Sequence, residues 1–151
     1  MSDAEIEFPW VNYGAHDKQK KERMLELTTQ NWSPFNGHDH ATVFIFCMSY
    51  AFAKNKTPLP PPGSSGSMPP SAFKMGMRDL MRSLAIAKTE NLKIIKKSSG
   101  KEGYVKICEE YAYSAFDEVY NRLKNRDSTI SAENILNEML NEIESERNHE
   151  D

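Results

Sequence analysis

Cysteine is scarce in this sequence: Cys47 and Cys108 are the only two among 151 residues. Both sit in apolar, helix-forming surroundings, where a free thiol behaves as a small hydrophobe. No disulfide framework is therefore expected, and a reducing, cytoplasmic compartment is. The start, Met1 to Glu7, has neither the basic opening nor the apolar run of a secretory signal. Long apolar runs are also missing. The longest, Ala41 to Ala53, is thirteen residues with Thr42 and Ser49 inside it, whereas a membrane span needs about 20. It reads as a buried core element, and no membrane role is expected. The sequence also lacks a glycine-rich phosphate loop, a nucleophile elbow and an HExxH pair. A non-enzymatic protein with no cofactor and no metal is the expectation.

What is present is enough to pack. Hydrophobic residues make up 38% and charged residues 27%, with seven Phe, six Tyr and two Trp. A chain of this length suits one domain and needs no disulfide or metal to hold its core. The net charge of −3 hides a strong segregation. Residues 1–15 hold three acids and no Lys or Arg; residues 16–106 hold fifteen Lys/Arg against seven Asp/Glu; residues 107–151 hold four against twelve. A basic body is joined to an acidic end.

Residues 1–15 lack periodicity, and Pro9 and Gly14 discourage a helix, so an irregular arm is expected. Residues 16–126 form the expected helical core. Within it, a helix runs over His16 to Gln30; Trp32 to Gly37 breaks the chain; and a central helix, apolar all round, occupies about Asp39 to Asn55. Six of the eight prolines fall between Pro58 and Pro70, so residues 57–72 read as a loop whose Gly/Ser tip leans toward disorder. Phe73, Met77, Leu80, Met81, Leu84 and Ala87 recur at helical spacing, with Ser71 as candidate cap. Thr89 would cap a short helix through Ile95. The longest stripe, Tyr104 to Leu123, predicts a helix over Glu102 to Arg126. Residues 127–151 read as an acidic amphipathic helix and tail, with Ser131 as N-cap and Ile130 and Ile135 as a hydrophobic staple. The fold class is all-α, a single compact helical domain of about five helices around the central apolar one.

Lys74, Arg78 and Arg82 are spaced by four residues and so share one helix face. Such a row fits the phosphates of a nucleic-acid backbone, and Lys54 and Lys56 before the loop, with Lys93, Lys96, Lys97 and Lys101 after it, would widen the patch. An ordinary solvated helix face is the alternative. No motif for reading base sequence is present. On the last helix, Leu136, Met139, Leu140 and Ile143 form an apolar seam framed by glutamates, suited to a partner or a second copy of the chain, or to packing on its own domain. His38-Asp39-His40 has no further ligands to complete a metal shell and reads as a helix start with Asp39 as cap. Glu109-Glu110 and Asp117-Glu118 read as solvated faces.

Three segments carry a resemblance. Val43-Phe44-Ile45-Phe46-Cys47-Met48-Ser49-Tyr50-Ala51-Phe52 followed by Lys54-Asn55-Lys56-Thr57-Pro58-Leu59, then Leu84-Ala85-Ile86-Ala87-Lys88-Thr89, then Ile107-Cys108-Glu109-Glu110-Tyr111-Ala112, resemble motifs of the type 4 accessory proteins of DNA phosphorothioation (Dnd) systems. The similarity covers about Trp32 to Leu123. It implies an accessory role beside enzymes that replace a backbone phosphate oxygen by sulfur and restrict unmodified DNA in phage defence. It brings no catalytic residues. The expected partners are the DNA backbone and other subunits of that system, with a homo-oligomer possible; a pure protein adaptor that never touches DNA is the alternative.

Overall fold

The computed structural model describes residues 8–63, 66–125 and 132–149. Among them are five α-helices, two short 3-10 turns and no strand: α1 (Lys18–Thr29), α2 (His40–Ala53), α3 (Met75–Thr89), α4 (Tyr104–Lys124) and α5 (Ala132–His149), with 3-10 turns at Pro70–Ala72 and Leu92–Lys96. The all-α expectation holds, and the central apolar helix is α2, which packs most extensively against α4.

The helix ends follow from local chemistry. Asp17 caps α1 by accepting from the Gln19 amide at 3.0 Å. At the end of α2, Asn55 adopts a left-handed φ of 55°. The Asn55 amide then donates to Phe52 O and the Lys56 amide to Ala51 O, the paired bonds of a Schellman closure. The helix α3 starts later than its stripe suggests, because Pro69-Pro70 favours a 3-10 turn, and Lys74, not Ser71, takes the N-cap position. Asn91, not Thr89, caps the second 3-10 turn, accepting from the Lys93 amide. Before α4, the amides of Tyr104 and Val105 donate to the carbonyls of Lys97 and Ser98. Gly103 sits so close to the Ser98 and Ser99 carbonyls that no Cβ fits there. The proposed Ile130–Ser131 start of α5 lies outside the described residues.

One apolar cluster joins every helix. From α4 it takes Cys108, Tyr111, Ala115, Phe116, Val119 and Leu123; from α2, Val43, Phe44, Cys47 and Met48. Each large side chain fully buried this way contributes about 1.5–3 kcal/mol. Aromatic edges lock the layers: Phe52 on Tyr111 at 5.4 Å and Phe44 on Phe73 at 5.7 Å between ring centres. Both thiols are buried, and burial pushes each of them up, away from reactivity.

Two segments outside the helices join the core. The arm is irregular, yet Phe8, Val11 and Tyr13 are fully packed into the core. The proline-rich segment is not a loose loop where it is described: Met68 is buried and pairs with Val11, and the Leu59 amide donates to Glu110 O. Its tip, residues 64–65, lies outside the described residues.

Candidate nucleic-acid interface

The row on α3 is divided by its own bonds. Lys74 is exposed and makes no ion pair among the described residues. Arg78 turns back on the chain: Nε donates to Phe73 O at 2.8 Å, Nη2 to Pro70 O at 2.9 Å, and the guanidinium lies 4.0 Å from the Phe8 ring centre. It ties the 3-10 turn and the arm to α3, a use that suits a planar donor fork over an aromatic face. Arg82 bonds Asp79 and donates to the Tyr104 hydroxyl at 3.4 Å.

Lys54 and Lys56 belong to a network that ties α5 to the body. Lys54 Nζ pairs with Glu142 at 3.2 Å, and Arg122 reaches the other oxygen of Glu142 at 2.7 Å. Arg122 also donates to the Tyr50 hydroxyl at 3.0 Å, Tyr50 donates to Glu118, and Lys56 pairs with that same carboxylate. Burial, followed by the Glu118 hydrogen bond, pushes the Tyr50 hydroxyl up to about 12. Burial alone would raise Glu142, but Arg122 and Lys54 outweigh it and hold the carboxyl below its usual range. The solvated-face reading of Asp117-Glu118 is thus corrected: Asp117 bridges Lys20 and Arg23 of α1. Glu109 is corrected likewise. It is largely buried, accepts from the Asn12 amide at 2.7 Å, and burial pushes its carboxyl up to about 7.

Lys96 and Lys97 remain. With Lys93 and Lys101 they line the second 3-10 turn and the loop into α4, all exposed and without an ion pair among the described residues. The fifteen residues of α3 separate this group from Lys74, about 22 Å at 1.5 Å per residue. Leu92 in the same turn is 71% exposed, and Leu80 on α3 is 51% exposed.

On α5 the seam faces inward. Met139 is fully buried, Leu136 and Ile143 pack on the core, and Leu140 alone stands largely exposed. Asp39 takes the N-cap position of α2 without a side-chain cap bond, and burial lowers His40, whose ring packs edge-on against Tyr13 at 5.9 Å. No cluster of three metal-ligating side chains occurs among the described residues. No described helix is long and apolar enough to cross a membrane.

Spacing found the α3 row but could not find its engagements, since Arg78 bonds a turn the sequence did not announce. Nor could it find the Glu109 contact, which comes from the arm. Charge count alone pointed to Lys93 through Lys101.

This is an all-α protein in which some cations are tied into the fold by internal partners and others, four of them gathered on one lysine-rich turn, are exposed without an ion pair among the described residues. The family model for DNA sulphur modification system-associated protein 4 matches residues 14–151, and the chain belongs to that family. Its association is thus with a DNA sulphur modification system. No curated protein and no solved structure matches the chain.

Proposed function

We propose that this protein is a non-enzymatic accessory subunit of a DNA sulphur modification and restriction system active in phage defence, and that it holds the DNA backbone through Lys93, Lys96, Lys97 and Lys101, with Lys74 as an outlying contact. The observation that carries this reading is the contrast among the cations. Arg78, Arg82, Lys54 and Lys56 are held by internal partners, whereas the lysines of the turn remain exposed and unpaired among the described residues. Ammonium groups that need not leave another partner engage phosphates at the least cost. DNA association through this turn depends on backbone charge and carries little base-sequence preference.

The test is a titration of labelled duplex, sulphur-modified and unmodified, at several salt concentrations. Each phosphate engaged steepens the log–log salt slope by about 0.9, so four contacts give a slope near −3.6 by the same rule. Lys93→Glu, Lys96→Glu and Lys97→Glu together abolish saturable binding without changing the melting temperature. Absence of binding by the wild type at low salt overturns the reading.

The exposed Leu80, Leu92 and Leu140 favour a second reading, an adaptor that joins other subunits through apolar contacts without touching DNA. It predicts that Leu92→Asp abolishes complex formation with neighbouring components while duplex binding is absent throughout.

A further inference from the structure

A cavity of about 380 Å³ opens beside the lysine turn, where four stretches distant in sequence meet: the arm at Trp10, the proline segment at Pro61, the turn at Ser98 and Lys101, and α4 at Lys106 and Glu109. That volume lies within the range of about 300–1,000 Å³ typical of small-molecule sites. Its walls are fastened. Asn12 donates its amide to Glu109 Oε2 at 2.7 Å and its side-chain Nδ2 to Pro62 O at 3.2 Å, while its Oδ1 accepts from the Gly14 amide at 2.8 Å.

One hydroxyl in the wall of this cavity and one carboxylate oxygen beside it make no bond to the protein among the described residues. Ser98 is 5% exposed, and its Oγ makes no hydrogen bond among the described residues. A buried hydroxyl left this way is unfavourable unless something else bonds it. Glu109 uses Oε2 for Asn12, and no bond to its Oε1 occurs among the described residues. The cavity is also polarised along α4. Lys106, with Lys101 in the preceding turn, stands at the helix start, and Glu109 stands three residues further on, about 4.5 Å along the axis.

A fitting occupant is flat, presents apolar faces to Trp10 and the prolines, offers N–H donors at one edge and carries an anion. Carboxylates accept from the exocyclic amine of a base such as cytosine. Aromatic side chains serve as platforms for unpaired bases. We propose that this cavity is a nucleotide site: it receives one unstacked nucleobase, with the amino edge toward Glu109 and Ser98 and the phosphate toward Lys101 and Lys106. A free mononucleotide and an unpaired base in a strand share this chemistry. The continuity of Lys93, Lys96 and Lys97 with the Ser98–Lys101 wall favours the strand, and to that extent the inference rests on the DNA-backbone reading.

The experiment compares the full chain against a blunt duplex, the same duplex carrying one unpaired cytosine, the same duplex with an abasic site at that position, and free deoxycytidine monophosphate. The unpaired cytosine raises affinity about tenfold over the abasic site, the scale of one base–aromatic stack. That gain disappears in Trp10→Ala and in the cavity-filling Ser98→Leu, while both variants bind blunt duplex as the wild type does. Melting curves identify a variant that misfolds, and Glu109→Gln, which keeps the side-chain shape, then serves in its place. Saturable binding of the mononucleotide that the same variants abolish, with no duplex binding, upholds the cavity and overturns the DNA reading. Duplex binding indifferent to the unpaired base, with no mononucleotide binding, overturns this inference and leaves the DNA reading standing.

Discussion

Glu109 shows how a single residue acquires its properties from a contact made far along the chain. Its neighbours on α4 suggest a solvated pair with Glu110, yet the arm and proline segment cover it, and burial pushes its carboxyl up to about 7. The Asn12 amide and Lys106 favour its charged form, and Glu110 opposes it. In the unfolded chain the carboxyl titrates near its ordinary value, about 4.3, so between these values the folded state binds the proton more firmly. Stability therefore falls as pH rises from about 4.3 through 7 and is level above. The expected loss is on the order of 2 kcal/mol after allowance for solvent at the cavity mouth. Glu109→Gln removes this slope. Urea unfolding at pH 5 and pH 8 will show the variant gaining on the wild type at the higher pH; equal gains at both would mean that the carboxyl is not buried.

At the scale of elements, α5 illustrates what periodicity can and cannot reveal. Its apolar seam was legible, and so was its acidic surround, but an apolar stripe does not say which surface covers it. The covering surface is this chain's own. Met139 fits into the core with no exposure, while Leu140, one position on, stands 42% exposed. Met139→Ala should cost about 2–5 kcal/mol through the cavity it leaves, and Leu140→Ala less than about 0.5 kcal/mol, as read from the shift of the urea midpoint. Comparable costs for the two would mean that α5 does not dock as described. The other helices were legible within a few residues because their stripes are long and their stops are chemical. The start of α3 was misplaced because a proline-led 3-10 turn precedes it.

For the whole molecule, charge segregation along the sequence is reorganised by folding. Glu142, Glu118, Asp117 and Glu26, all acids that count toward local surplus or deficit, each pair with a cation of another element. Such pairings span up to 98 positions, so no local reading of the sequence could announce them. Among the described residues seven cations form ion pairs, and of those that do not, Lys93, Lys96, Lys97 and Lys101 are gathered on one turn. The arm was illegible for a related reason: it has no period, and its core residues are recognised only by what they touch. Removing residues 1–13 deletes Phe8, Val11 and Tyr13 from the core. At about 1.5–3 kcal/mol for each such side chain, the shortened chain should lose most of a small domain's margin of roughly 5–15 kcal/mol. A melting temperature unchanged by this deletion would refute the packing of the arm.

The bond from Asn12 to Glu109 also makes the cavity depend on both halves of the chain. It joins positions 97 apart, and contacts of such separation form only after the intervening chain has closed on itself. The helix pair α2 and α4 can meet earlier, across a shorter stretch. The wall beside Ser98 is complete only when both the arm and α4 are in place, because it takes residues from each. A ribosome that has not yet released the segment carrying Glu109 holds a chain with no cavity, and whatever that cavity receives is a ligand of the finished molecule alone.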